Sequence, residues 1–150
     1  MREILPGRLW LGNAGDARDA QRLLAAGIVA VLDLAAEEAS PILPRSMAYC
    51  RFPIADGAQD VEDLLDVAMR TLVSLLARHV PTLVYCGAGM SRSPAVVAGA
   101  LALVQGGSPE ERLLQVASGR PHDVSPQLWE AVRRIFCRIC GETARSDGDP

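Results

Sequence analysis

The stretch Leu83-Val84-Tyr85-Cys86-Gly87-Ala88-Gly89-Met90-Ser91-Arg92-Ser93-Pro94-Ala95-Val96-Val97 limits what this chain can fold into more than any other. It reads as a buried strand, a tight glycine-bearing loop and the start of a helix. The loop begins at Cys86 and closes at Arg92, with small or unbranched residues between them. That spacing lets backbone N–H groups wrap a tetrahedral oxyanion. Gly87 and Gly89 open backbone angles closed to other residues. Consecutive amides in such a turn make an anion nest, and the following helix adds its N-terminal dipole and unpaired N–H groups. Arg92 supplies a planar fork matched to two oxygens. Cys86 lies at the floor of this positive bowl, which favours the nucleophilic thiolate form.

The rest of the chain alternates strands and helices. Ile4 to Asn13 reads as two short strands around Pro6-Gly7. Asp16 is placed to cap a helix carrying Ala20, Leu23 and Leu24, with Gly27 as its stop. Ile28 to Leu34 is an apolar run broken only by Asp33, as suits a parallel strand covered on both faces. Residues 36–47, with Pro41 and Pro44, read as a loop, and Ala48 to Ile54 as the next strand, with Cys50, Phe52 and Ile54 on one face. Asp60 starts a helix with Val61, Leu64, Leu65, Ala68, Leu72, Leu75 and Leu76 at helical spacing. The helix opened by Ser93-Pro94 is apolar almost all round through Val104, so it belongs at the centre of the fold. Ser108-Pro109-Glu110-Glu111 is a capping box. Ser125-Pro126 opens the last helix, with the stripe Leu128, Val132, Ile135, Phe136 and Ile139. This pattern predicts an α/β fold with a central, mostly parallel sheet flanked by helices. One domain is expected over residues 1–140, with a polar, disordered tail over 141–150.

Cys86 to Ser93 is similar to the Cys-x5-Arg-Ser/Thr signature of cysteine-dependent protein tyrosine phosphatases, and its Ala88-Gly89-Met90-Ser91-Arg92-Ser93 resembles the dual-specificity subgroup. Leu9-Trp10-Leu11-Gly12-Asn13, Gly27 to Leu34, and Gly119-Arg120-Pro121 with Ser125-Pro126-Gln127 resemble further segments of that family, so the likeness covers roughly residues 4 to 137. The resemblance implies the dual-specificity phosphatase fold and hydrolysis of phosphate esters through a phosphocysteine, without a cofactor or metal. It implies Cys86 as nucleophile, and Arg92 with Gly87, Ala88, Gly89, Met90 and Ser91 as the phosphate cradle. Ser93 assists departure of the thiolate, and Asp56, in Pro53-Ile54-Ala55-Asp56, is the acid for the leaving group. One residue departs from the pattern: Tyr85 stands where the family has His, and this bears on rate.

Simpler roles stand beside these. Asp56 also suits a turn, and Asp60 is the runner-up acid, whose capping position is an adequate explanation of it. Cys86 alone would read as a buried structural thiol, Arg92 as an ion-pair partner, and Ser93 as a helix cap; Ser91 suits holding the loop. Cys137 and Cys140 form a Cys-x-x-Cys on a helix, and packing on the apolar stripe is favoured over redox or zinc chemistry. Cys50 is expected to pack in its strand, with a protective disulfide to Cys86 as the alternative. His79 suits a helix end, His122 is a candidate substrate contact, and Trp10 and Trp129 read as core or groove-wall residues.

The net charge of −3 and the lack of a basic run argue against a nucleic-acid partner. No apolar run is long enough to span a membrane, and no signal-peptide pattern opens the chain. Four cysteines in a chain this large are not a secreted disulfide framework. A cytoplasmic location and a monomer are the default expectations. Few residues precede the first core strand, so the resemblance implies a shallow pocket open to phosphotyrosine and phosphoserine/threonine of proteins. The loop has no Lys, unlike the loops of phosphoinositide phosphatases in the superfamily it resembles, which carry extra cations, so the resemblance argues mildly against a highly charged inositol lipid. Two other classes stay open: a weakly active phosphate-binding scaffold, which Tyr85 would suit, and another Cys-loop oxyanion enzyme such as a sulfurtransferase or arsenate reductase. Neither of these needs an acid at Asp56.

Overall fold

The computed structural model describes residues 1–56 and 61–146. Among the described residues, five strands form one sheet and six helices cover its faces. β1 (Arg2–Leu5) and β2 (Leu9–Asn13) make an antiparallel hairpin whose turn holds Gly7 at φ 65°. Two short helices follow, α1 (Ala14–Arg18) and α2 (Ala20–Ala25), then β3 (Ala30–Ala35) and β4 (Ala48–Ile54). α3 (Glu62–Ala77) precedes β5 (Thr82–Cys86). α4 (Arg92–Gln105), α5 (Pro109–Ala117) and α6 (Pro126–Ser146) complete the chain. The sheet runs β1-β2-β5-β3-β4, and every pair except β1–β2 is parallel. β5 therefore lies at the middle, and its carboxyl end delivers Cys86 to the edge where β2 and β3 also finish.

Alternation along the strands divides the interior into two layers. Leu9, Leu11, Leu32, Leu34, Val84 and Cys86 face one layer, under α3, α4, α5 and α6. Trp10, Val31, Ala35, Leu83 and Tyr85 face the other, with Leu23 and Met47. α4 is central, as its apolar circumference predicts: residues 92–102 are all buried. Gly99 is required there, because a Cβ would meet Met69 Cε at 2.5 Å and Val132 Cγ1 at 2.9 Å. Burying each full Val or Leu side chain of this layer contributes about 1.5–3 kcal/mol. The capping box of Ser108 and Glu111 forms as the sequence predicts.

Several expectations are corrected. The helix expected from Asp16 to Gly27 is broken at Asp19, which caps α2. Asn13 caps α1, while Asp16 is the reciprocal member of that capping box. The tail expected from residue 141 begins as helix: α6 continues to Ser146, held in part by an ion pair of 2.8 Å between Glu142 and Arg70 of α3. Cys137 and Cys140 are exposed rather than packed. At about 3.6 residues per turn, Cys137 points away from the stripe of Val132, Ile135 and Ile139, and Cys140 lies roughly a quarter turn off it. Cys50 does pack against the core. It is level with Val84 across β3, which sets it roughly 12 Å from Cys86 at ordinary strand spacings. A disulfide needs Cα atoms within about 7 Å, so the protective pair does not form. Asp60 and Gly57 lie outside the described residues, and so do residues 147–150.

Candidate active site

The loop from Cys86 to Arg92 is anchored at three points. Ala14 N–H donates to the Gly87 carbonyl at 3.1 Å, and Asp123 N–H donates to the Met90 carbonyl at 2.7 Å. The third anchor is close contact: Gly89 has φ +74°, and a Cβ there would stand 2.6 Å from the Gly12 carbonyl oxygen. Both facts require glycine. Ser91 begins α4 without a side-chain cap bond, so the first amides of a buried helix end in the loop. Cys86 is 1% exposed, Arg92 3%, and Ser93 is fully buried.

Arg92 is held by a dense set of acceptors. Its Nη1 donates to Glu37 Oε2 at 2.7 Å, the Ile54 carbonyl at 2.6 Å and the Leu34 carbonyl at 3.3 Å. Its Nη2 donates to Glu37 Oε1. Its Nε has no partner although buried, and neither has Ser93 Oγ. Buried donors are seldom left unsatisfied, and here two lie on adjacent residues of one loop. Asp56 Oδ1 stands 4.0 Å from Arg92 Nε and 3.5 Å from Ser91 Oγ. Burial alone would push the Arg92 guanidinium down, but Glu37, Cys86 and Asp56 together hold it above its ordinary range. The Arg92 hydrogen bond in turn holds the Glu37 carboxyl below the usual carboxylate range, against the effect of burial.

Cys86, Arg92, Ser91, Ser93 and Asp56 are therefore gathered at one point, with Asp56 side chain 63% exposed at the rim. Tyr85 faces the opposite layer, as its neighbour in a strand must. Burial, reinforced by Asp33, pushes its phenol well above the ordinary value. The hydroxyl lies beside Asp33 and Tyr49 but has no hydrogen bond of good geometry to either. Asp33 is satisfied by Ala35 N–H at 2.8 Å and the Tyr49 hydroxyl at 2.5 Å. His122 lies with Arg2, Asn13, Met90 and Arg120 around a pocket of about 280 Å³ that flanks the outer side of the loop. Neither Cys86 nor Arg92 lines that pocket. Trp10 is a core residue and Trp129 packs at the core's edge. His79 follows the end of α3 in left-handed geometry, φ 57°.

Glu37 is the site residue that the sequence reading missed. It lies just past β3, in the segment assigned only as loop. Its signal was positional: a carboxylate leaving the carboxyl end of a strand beside β5, where α/β sheets gather their ligand-binding groups.

No family model matches the chain. It is 31% identical over 114 residues to the mouse (Mus musculus) dual specificity phosphatase 28, covering 75% of this chain and 69% of that protein. It is 32% identical over 133 residues to the dual specificity protein phosphatase Mpk3 of Drosophila melanogaster, 84% of this chain. The matched region spans only 31% of Mpk3. Its fold superimposes on the crystal structure of human DUSP28 with a TM-score of 0.83 at 25% identity, over 95% of this chain and 99% of that one.

Proposed function

The chain belongs to the dual-specificity phosphatases, and from that premise we propose that it hydrolyses phosphate monoesters on protein tyrosine and serine/threonine side chains through a phosphocysteine. The observation that carries this reading is the unpartnered edge of Arg92. Its guanidinium is buried, its Nη1–Nη2 end is taken by protein acceptors, and its Nε makes no hydrogen bond, with Asp56 Oδ1 standing off at 4.0 Å. That edge and the loop amides offer donors to the equatorial oxygens of a phosphoryl group, whose charge shifts during transfer. The Cys86 thiolate attacks phosphorus in line, and Asp56 gives its proton to the departing alcohol or phenol. Water then cleaves the phosphocysteine with Asp56 as base, and Ser93 donates to the leaving thiolate. The buried, unpartnered Ser93 hydroxyl suits that task.

The proximity of Asp56 to Ser91 and Arg92 supports phosphate-ester hydrolysis over sulfur transfer or arsenate reduction, which need no leaving-group acid. A second reading, a slow enzyme that mainly binds phosphate, is favoured by Tyr85. Its side chain turns into the opposite layer and brings no imidazole to the loop. Hydrolysis of para-nitrophenyl phosphate without added metal, by wild type and Cys86→Ser, tests both. Turnover in the wild type only, with oxyanion binding kept in Cys86→Ser, is the expected result. Binding without turnover in the wild type selects the second reading. Equal turnover in both proteins removes Cys86 as nucleophile.

A further inference from the structure

A guanidinium carries five N–H donors in one plane. In Arg92 the two on Nη1 go to Glu37 and to the carbonyls of Ile54 and Leu34, and one on Nη2 goes to Glu37. The Nε–H and the second Nη2–H remain, side by side on one edge. The two fixed carbonyls reach Nη1 alone. Glu37 alone grips both ends of the fork, so it decides which edge is left over.

Glu37 is itself held. Arg51 of β4 donates to the carbonyls on either side of it, Ala36 at 3.4 Å and Glu38 at 3.0 Å, and also to Ala35 at 3.3 Å. A further Arg51 bond of 3.0 Å reaches Ser40 Oγ, and Glu38 pairs with Arg18 at 2.6 Å. The Glu37 carboxylate then passes over Gly87, where a Cβ would stand 2.6 Å from Oε1. Three sequence-distant elements thus fix one carboxylate against one guanidinium. Glu37 is 47% exposed while Arg92 is 3% exposed; solvent screens the carboxylate end of the pair, and the Ile54 and Leu34 carbonyls still hold the guanidinium without it.

We infer that Glu37 is a positioning residue for the reaction: it aims Arg92 so that the Nε–Nη2 edge, and no other, faces the oxyanion. This rests on the reading of the Cys86–Arg92 loop as an oxyanion site, and it names a residue that acts through Arg92 without touching substrate.

The test measures tungstate binding by calorimetry in the Cys86→Ser protein, so the readout needs no turnover. Four proteins are compared in that background: the parent, Glu37→Gln, Arg92→Lys, and both changes together. Misaiming a catalytic donor by a fraction of an ångström costs on the order of tenfold or more, so Glu37→Gln is expected to weaken tungstate at least about tenfold. In the Arg92→Lys protein the same change is expected to cost less than about twofold, because no fork remains to be aimed. Where tungstate binding to Arg92→Lys is too weak for calorimetry, the cycle is read on kcat/KM in proteins that retain Cys86. Thermal unfolding of Glu37→Gln should stay within a few degrees of the parent, and Glu110→Gln, whose carboxylate on α5 pairs with Arg133 and takes no part in holding the loop, should bind tungstate as the parent does. Equal losses with and without Arg92, no loss at all, or a loss matched by a fall in Tm would each overturn the proposal. A wild type that turns over no phosphate ester, while the binding cycle behaves as described, sinks the phosphatase reading and leaves the role of Glu37 standing. A Cys86→Ser protein that binds no tungstate removes the cradle and this proposal with it.

Discussion

Gly87 and Gly89 are two residues apart, yet the same methyl group should do different damage at each. At Gly89 an alanine must hold φ near +74°, which costs roughly 1–2 kcal/mol for an L-residue. Its Cβ would also stand 2.6 Å from the Gly12 carbonyl oxygen at the end of β2. Backbone in a sheet cannot swing aside, so the loop or the strand end must shift, at about 1–3 kcal/mol typical of overpacking. The sum is about 2–5 kcal/mol. For a chain of this size each kcal/mol moves Tm by about 2–4 °C. At Gly87 the φ is not in the left-handed region; the Cβ would stand 2.6 Å from Glu37 Oε1 and at an ordinary 3.5 Å from Arg92 Nη2, so the clash is with the end of the Glu37 side chain. That carboxylate is half exposed and can turn toward solvent while the Ile54 and Leu34 carbonyls keep the guanidinium in place, so the cost in stability is small beside that at Gly89, but Arg92 loses the group that aims its fork. Gly89→Ala is therefore expected to lower Tm clearly. Gly87→Ala should leave Tm within a few degrees and still lose activity. Thermal unfolding and para-nitrophenyl phosphate hydrolysis on the two variants decide it. Equal Tm losses, or a fully active Gly87→Ala protein, would refute the reasoning.

Three further outcomes are expected. Asp56→Asn should slow hydrolysis of phosphotyrosine or phosphoserine peptides by roughly 10²–10⁴-fold, and an activated fluorinated phenyl phosphate much less. Steady-state rates on both substrate types check this, and equal losses would move the acid elsewhere, with Asp60→Asn as the comparison. The Glu37 carboxyl lies below its ordinary value of 4.5 in the folded protein. Its contribution to stability is therefore complete above that pH and disappears as pH falls through the depressed native value. Denaturant midpoints of wild type and Glu37→Gln should differ slightly at neutral pH and converge in acid; a gap that widens in acid contradicts the pairing. Cys137 and Cys140 are exposed while Cys50 is half-buried and Cys86 buried, so a bulky thiol reagent on the folded protein should label the pair on α6 first. Mass spectrometry of a labelling time course would show the reverse order if α6 packed with its thiols inward.

Much of this architecture was written in local sequence. β4 and β5 begin and end where the sequence places them, β4 by alternation and β5 by its apolar run, because both signals are properties of a few adjacent residues. The capping box at Ser108 and Glu111 and the left-handed Gly89 are similarly local, specifying orphan amides and a backbone angle within one turn, whereas Gly87, expected to need such an angle too, has an ordinary φ and is needed only for room beside Glu37. Cys86, Arg92 and Ser93 could be read together because eight consecutive residues carry the whole loop. Asp19 was overlooked as a cap because the apolar positions before and after it share one helical period, and a single capping side chain breaks such a period without altering it. The outward facing of Cys137 and Cys140 follows from helical phase, which prevails over the apolar character of their thiols.

Other features exist only once the sheet is assembled. Glu37 is 55 positions from Arg92 and Asp56 is 35 positions from Ser91. Neither separation has a period that sequence can display. Their meeting depends on β5 lying between β2 and β3, and on three parallel strands ending at the same edge. Chain connectivity does not fix that order; the two-layer burial of Val84 and Cys86 on one face and Leu83 and Tyr85 on the other does. The sequence alone carries the loop from Cys86 to Arg92, with a thiol at its start and a guanidinium at its close. Tertiary structure decided which end of Arg92 is occupied, because the carboxylate that takes it comes from the segment after a different strand, β3.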